Sequence, residues 1–198
     1  MGKYIAKHGK NDIPQLEVLQ KELKRERYKR RFRRLLRSTV NTLIVVAAIA
    51  ALIATLVLPV LQIAGTSMEP SLNDGDIVLL VKTNNLETGN LCAFYYSNKI
   101  LIKRVIATPG DYIWIESDGT VFLNGEPLDE PYVSEKSLGE CDVEFPYQVP
   151  ENNYFVMGDK RETSIDSRSS VIGCIPEDQL IGKIFCKFWP LSEFTFMN

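Results

Sequence analysis

The chain has 198 residues, 45% of them hydrophobic, with four cysteines and a single histidine. That is enough for one packed domain with an appended segment, and too little histidine for a histidine-rich metal site. The net charge of −2 hides an asymmetry: residues 1–37 hold 13 Lys/Arg against 4 Asp/Glu, whereas residues 38–198 hold 10 against 21.

The basic arm comes first. Asp12-Ile-Pro14 reads as a helix start, and Leu16, Leu19 and Leu23 recur at helical spacing. The block "KRERYKRRFRRLLR" (residues 24–37) abuts an apolar run from Val40 to Leu61 that contains no charge. As a helix these 22 residues extend roughly 30 Å, the thickness of a bilayer core. The predicted division is therefore a cytoplasmic arm at 1–37, a transmembrane anchor helix at 38–61 and an extracytoplasmic domain at 62–198. A basic block against such a segment suits anionic lipid head groups, and no nucleic-acid partner is expected. A cleavable signal peptide would have a shorter apolar region ending in a small-x-small site; the long arm and Gln62 argue for an uncleaved anchor.

Just beyond the anchor lies "GTSMEPSLNDGD" (residues 65–76). Its composition is that of a turn, so Ser67 is either an ordinary turn residue or a nucleophile served by some base other than histidine. The only histidine, His8, falls on the far side of the apolar run. Glu69 breaks the G-x-S-x-G elbow, and no lysine follows three residues after Ser67.

The remainder reads as short strands rich in β-branched and aromatic residues: 76–82, 91–96, 99–107, 111–117, 120–125, 153–158 and 180–189, punctuated by turns such as Asn124-Gly125. A mostly β, antiparallel domain follows. The acidic stretch 128–150 reads as an irregular excursion. Cys92, Cys141, Cys174 and Cys186 show no zinc-like spacing, no metal or other cofactor is expected, and no disulfide pairing is assigned.

In "KILIKRVIA" (99–107), alternation puts Leu101, Lys103 and Val105 on one face and Ile102, Arg104 and Ile106 on the other. A lysine flanked by apolar neighbours is desolvated, which favours the neutral amine and makes it a competent general base. The alternative is that Lys103 reaches water or pairs with one of the many acids.

A third stretch, "GDKRETSIDSR" (158–168), completes a pattern. Together with "TSMEPSLNDGDIVLL", "IKRVIATPGD" and the arm and anchor, in this order, the chain resembles the type I signal peptidases, membrane proteases that use a Ser/Lys dyad to remove signal peptides from exported proteins. The resemblance implies an antiparallel β catalytic domain of signal-peptidase type behind a single N-terminal transmembrane helix. It implies Ser67 as nucleophile, Lys103 as general base with Arg104 beside it, Ser164 orienting the lysine amine, and Asp166 with Arg168 as a supporting ion pair. Met68 and Pro70 would shape the bend presenting Ser67, and Gly65 falls where some members carry a serine that assists the oxyanion hole. That hole would then rest on backbone amides, that of Ser67 among them. Lys160 stands in place of the family's usual asparagine and Ser71 in place of threonine. The implied partners are signal peptides of exported preproteins and the lipid bilayer of the cytoplasmic membrane, for a monomeric enzyme cutting after small-x-small sites. Two other readings are a Ser/Lys peptidase of different specificity and a non-catalytic β binding module on a membrane tether.

Overall fold

The structure is a computed structural model that describes residues 16–57 and 59–197, with side chains from residue 20 to 52 and from 59 onward. His8 and the expected helix start at Asp12–Pro14 lie outside the described residues.

One α-helix, α1 (Leu16–Val57), carries both the basic block and most of the apolar run. Lys, Arg, Glu, Leu and Ala favour helix, and no Gly or Pro interrupts its 42 residues. Its apolar side chains from Val40 to Ile49 are exposed all round rather than on one stripe, unlike the amphipathic surface of a helix packed on a soluble core. By length and composition it is long and apolar enough to cross a membrane. The helix ends at Val57, short of the predicted Leu61, and residues 60–62 form a strand instead. Pro59 accounts for the difference, since it lacks the N–H a helix needs and its ring crowds the preceding turn. The apolar stretch left in α1, Val40 to Val57, still extends about 27 Å.

From Ala54 onward the chain forms a second compact unit, built from two antiparallel sheets. In chain order the strands are β1 (Val60–Gln62), β2 (Ile77–Val81), β3 (Leu91–Tyr96), β4 (Lys99–Ala107), β5 (Tyr112–Ile115), β6 (Val121–Leu123), β7 (Glu126–Pro127), β8 (Tyr147–Gln148), β9 (Asn153–Met157), β10 (Ile175–Pro176), β11 (Leu180–Trp189) and β12 (Thr195–Phe196). The large sheet runs β1-β2-β11-β3-β4-β9-β10, with β12 also on β11; the small one runs β7-β6-β5-β8. Mostly β, antiparallel and with one N-terminal helix among the described residues, this is the predicted class. All seven predicted strands are present, and residues 128–150 are irregular except for β8.

Three apolar clusters fill the unit. Ile63, Met68, Leu72, Val78, Leu80, Leu91 and Ile184 pack under the first bend; Ile106, Ile113, Val121, Phe155 and Met157 join the two sheets; Leu86, Cys92, Phe94, Val105 and Val156 pack on the other side of β3 and β4. Strand β4 thus sends side chains into different clusters from its two faces, and its second half, from Lys103 to Ala107, is wholly buried. All four cysteines are free thiols.

Candidate active site

The bend after β1 is held by its own acids. Asp74 Oδ1 accepts the Gly65 N–H at 2.7 Å, Asp76 Oδ2 accepts that of Asn73 at 2.8 Å, and the Ile63 N–H donates to the Asp76 carbonyl at 2.8 Å. Gly65 has φ +98, a region unfavourable to any side chain, so a serine at this position would be strained. With its N–H committed to Asp74, Gly65 is also not a free donor. The Ser67 N–H, by contrast, has no acceptor among the described residues. Met68 is 2% exposed and anchors the bend in the first cluster, while Pro70 follows a cis peptide bond from Glu69.

A cleft of about 110 Å³ opens beside this bend, lined by residues 61–65, Ser67, Met68 and residues 100–103. Both walls offer unpaired strand edges. Strand β1 ends the large sheet, and β4 is paired to β9 only from Arg104 onward, so its first half has one free edge.

Of the residues lining the cleft, Lys103 is only 4% exposed. Its amine donates to Ser164 Oγ at 2.9 Å, and no hydrogen bond joins it to Ser67 in this structure. Burial pushes the Lys103 pKa below its ordinary 10.5; Arg168 lowers it further, while Asp166 and Asp159 oppose both by favouring the ammonium. The amine sits among charges, yet among the described residues it has no carboxylate partner of its own, which separates it from an ordinary structural lysine.

The segment 158–168 brings Ser164 to this amine. The Asp166 carboxylate accepts the Gly158 N–H at 2.9 Å and grips Arg168 through both oxygens, at 2.8 and 2.9 Å. Arg168 donates onward to the carbonyls of Leu138, Arg161 and Ser164. Every polar atom of this fully buried pair is thereby occupied, as burial of two charges requires. Lys160 N–H donates to the Ser67 carbonyl at 3.1 Å and joins the two segments. Gly158 is what allows them so close: a Cβ there would lie 2.2 Å from Ser164 Oγ and 2.6 Å from the Ser67 carbonyl oxygen.

Arg104 reaches the opposite side of the strand from Lys103. It holds Asp159 through two bonds of 2.8 and 2.6 Å, the Gly89 carbonyl at 2.8 Å and Ser71 Oγ at 3.1 Å, with its guanidinium 3.8 Å over the Tyr132 ring. It therefore clamps the far end of the nucleophile-type bend to the 158–168 segment. Sequence reasoning gave no role to Asp159, Ser71, Gly158 or Tyr132. The first three lie inside the quoted stretches, but nothing in chain spacing reveals that Asp159 pairs with an arginine 55 residues away. A further buried pair, Arg161 with Glu130, ties the irregular excursion to the same segment. Among the described residues, no group of three His, Cys, Asp or Glu side chains could hold a metal.

Comparison with known proteins defines the class first: the chain is a peptidase, its residues 36–189 matching the family model described as signal peptidase, peptidase S26. The chain belongs to the S26 signal peptidase family. It is 39% identical over 154 residues to signal peptidase IB of Staphylococcus aureus strain MRSA252, covering 68% of this chain and 79% of that protein. It is 35% identical over 144 residues to signal peptidase I of Bacillus licheniformis, covering 66% and 76%. A crystal structure of a signal peptidase I from Enterococcus faecalis V583 aligns over 50% of this chain and 96% of its own, at 25% identity and a TM-score of 0.43.

Proposed function

We propose that the chain is a membrane-anchored serine endopeptidase that removes N-terminal signal peptides from exported preproteins, with Ser67 as nucleophile and Lys103 as general base. The observation that carries the reading is a buried lysine amine, depressed in pKa and held by Ser164, in the same cleft as Ser67. Neutral Lys103 takes the Ser67 proton as the hydroxyl oxygen attacks the scissile carbonyl. The oxyanion that forms is met by the free Ser67 N–H. Collapse breaks the peptide bond, the lysine returns its proton to the leaving amine, and the acyl-enzyme remains. The same amine then draws a proton from water, which hydrolyses the ester. Ser164 is a positioning residue that fixes the amine, and Asp166 with Arg168 holds Ser164.

The substrate lies as an extended strand between the free edges of β1 and β4, adding to both. The cleft is far smaller than the several hundred Å³ of a typical ligand pocket, which supports small side chains at the first and third positions before the cut. Chain division follows the sequence expectation with a shorter helix: arm to residue 37, anchor to Val57, catalytic unit beyond. The basic arm is cytoplasmic and the catalytic unit extracytoplasmic, on the excess of Lys/Arg before the apolar run; labelling of a cysteine introduced at Lys24 by an impermeant reagent on intact cells would reverse that orientation. The enzyme acts as a monomer.

The decisive experiment incubates purified protein with a model preprotein ending its signal peptide in Ala-x-Ala. Cleavage is expected from the wild type and none from Ser67→Ala or Lys103→Ala. Equal cleavage by either variant would end the dyad assignment.

A further inference from the structure

A second depression begins where the first one stops. It holds about 360 Å³ and is lined by Glu69, Pro70, Ser134, Glu135, the stretch Asp159–Arg161 and Glu162. The Ser67 bend separates the two: Met68 faces the first, Glu69 the second, and the Lys160 N–H grips the Ser67 carbonyl between them. If a substrate strand fills the first cleft up to Ser67 and Lys103, the residues after its scissile bond must leave across this bend. Successive residues of an extended chain advance roughly 3.3 Å each, so the first few fall beside Glu69 and Lys160.

Three ion pairs border the depression, and they differ in kind. Arg104 with Asp159 and Arg161 with Glu130 have side chains 9% exposed or less, whereas Lys160 and Glu69, 2.8 Å apart, are 41% and 33% exposed. The first two are fixed parts of the structure. The third is a solvent-facing pair weak enough for an incoming charge to compete with it. Once the pairs are matched, Glu135 and Glu162 are left with no ion-pair partner among the described residues, and the depression as a whole is negative. Lys160 also stands where the family pattern has asparagine, so its charge distinguishes this chain.

We propose that this depression receives the residues that follow the cut, the start of the mature protein, and that the Glu69–Lys160 pair sets which charges it accepts. The inference rests on Ser67 being the nucleophile. Basic side chains are favoured there by the unmatched acids, and Lys160 is what keeps acidic ones tolerable. Removing Lys160's charge makes the depression more negative, and removing Glu69's makes it less so. The two substitutions therefore act in opposite directions on the same preference.

The test uses the full-length enzyme in detergent and peptides spanning a small-x-small site, with Lys, Gln or Asp placed in turn at each of the first three positions after the cut. At one or more positions, the wild type should show a higher kcat/KM for Lys than for Asp. Lys160→Gln should widen that ratio by about two- to five-fold, Glu69→Gln should narrow it by a similar factor, and about 1 M salt should flatten all three. The reversed pair, Glu69→Lys with Lys160→Glu, keeps the net charge and should return the ratio toward wild type. Cleavage of the Gln peptides reports that each variant is folded and that the nucleophile reading stands. The proposal is overturned if both single variants change the Lys, Gln and Asp peptides by one common factor, which would make the pair a structural clasp only. Loss of all cleavage in Ser67→Ala alongside that result leaves the enzyme assignment intact, so the two failures are distinguishable.

Discussion

The Lys103 amine and the Ser164 hydroxyl lie 2.9 Å apart, both nearly sealed from solvent, although 61 residues separate them in the chain. Each would be costly to bury alone: the amine as an unpaired charge, the hydroxyl as an unmatched polar group. Together they are cheap only if the amine is neutral. The pair is thus a packing solution and, in the proposed mechanism, a poised base.

The pH dependence of cleavage should report that poise. The acidic limb of kcat/KM follows deprotonation of Lys103 in the free enzyme, and burial lowers that pKa from 10.5, so the limb should fall below the ordinary lysine range. Lys103→Arg keeps the charge but stays protonated at any working pH, and a loss of at least about 100-fold is expected. Near-normal cleavage of a preprotein by Lys103→Arg would remove lysine from the chemistry.

Ser164→Ala leaves the base in place but unsupported. The amine then samples rotamers that do not face Ser67, so kcat should drop by roughly 10- to 100-fold with little change in KM, because the walls of the cleft are untouched. Ser164→Thr keeps the hydroxyl and should recover part of the loss. A pure KM effect would place Ser164 in substrate binding instead.

How much of this site was legible in the sequence depends on how local each part is. The strands from β2 to β6, β9 and β11 announced themselves by alternation and turn residues. The residues that the proposed chemistry needs, Ser67, Lys103 and Ser164, stood in three ordered stretches. What escaped was long-range partnership and short pairing: β7, β8, β10 and β12 have two residues each, too few to carry a period. Strand β1 was hidden inside the apolar run, since Val60 and Leu61 suit a lipid-facing helix as well as a sheet. The partners of Arg104 and Arg168 were equally invisible, as charge pairing across a fold leaves no spacing rule. Alternation also put Lys103 and Arg104 on opposite faces correctly, but not that both faces would be covered.

Gly158→Ala tests the close approach of the two segments. A methyl group there would sit 2.2 Å from Ser164 Oγ and 2.6 Å from the Ser67 carbonyl oxygen, both under any van der Waals contact, and one of them is backbone. Either the bend or the 158–168 segment must shift, and a displacement of about 1 Å can cost of the order of 100-fold in rate. Cleavage should fall to that extent with a measurable drop in Tm. Wild-type activity in this variant would mean that the two segments are not held together as the structure has them.

The Arg104–Asp159 pair should matter to stability more than to specificity. Asp159 is 1% exposed and is the only carboxylate on Arg104 among the described residues, so Asp159→Ala strands a guanidinium inside the protein. Breaking a buried pair from one side costs about 3–5 kcal/mol. Urea unfolding of the detergent-solubilised enzyme should show a loss of that size; less than about 1 kcal/mol would mean the pair is solvated.

Lys103→Met joins the mechanism to stability, and its sign can be worked out. Folding lowers the lysine pKa, so between the folded value and about 10.4 the unfolded chain holds more protons than the native one. Stability of the wild type therefore rises with pH through that window, and below the folded pKa it carries the full cost of a buried ammonium. Methionine has nearly the same length and no charge, so this variant lacks the pH-dependent term. It does leave the Ser164 hydroxyl without its partner, at about 1–3 kcal/mol, but that cost is the same at every pH. Hence the difference in unfolding free energy, Lys103→Met minus wild type, should be most favourable to the variant at neutral pH and should shrink as pH approaches 10, while cleavage is lost throughout. The measurement is a series of urea titrations of both proteins from about pH 6 to pH 10. A difference that stays flat across the range would mean the amine keeps its ordinary pKa in the folded protein, and the base in the cleft would have to be sought elsewhere.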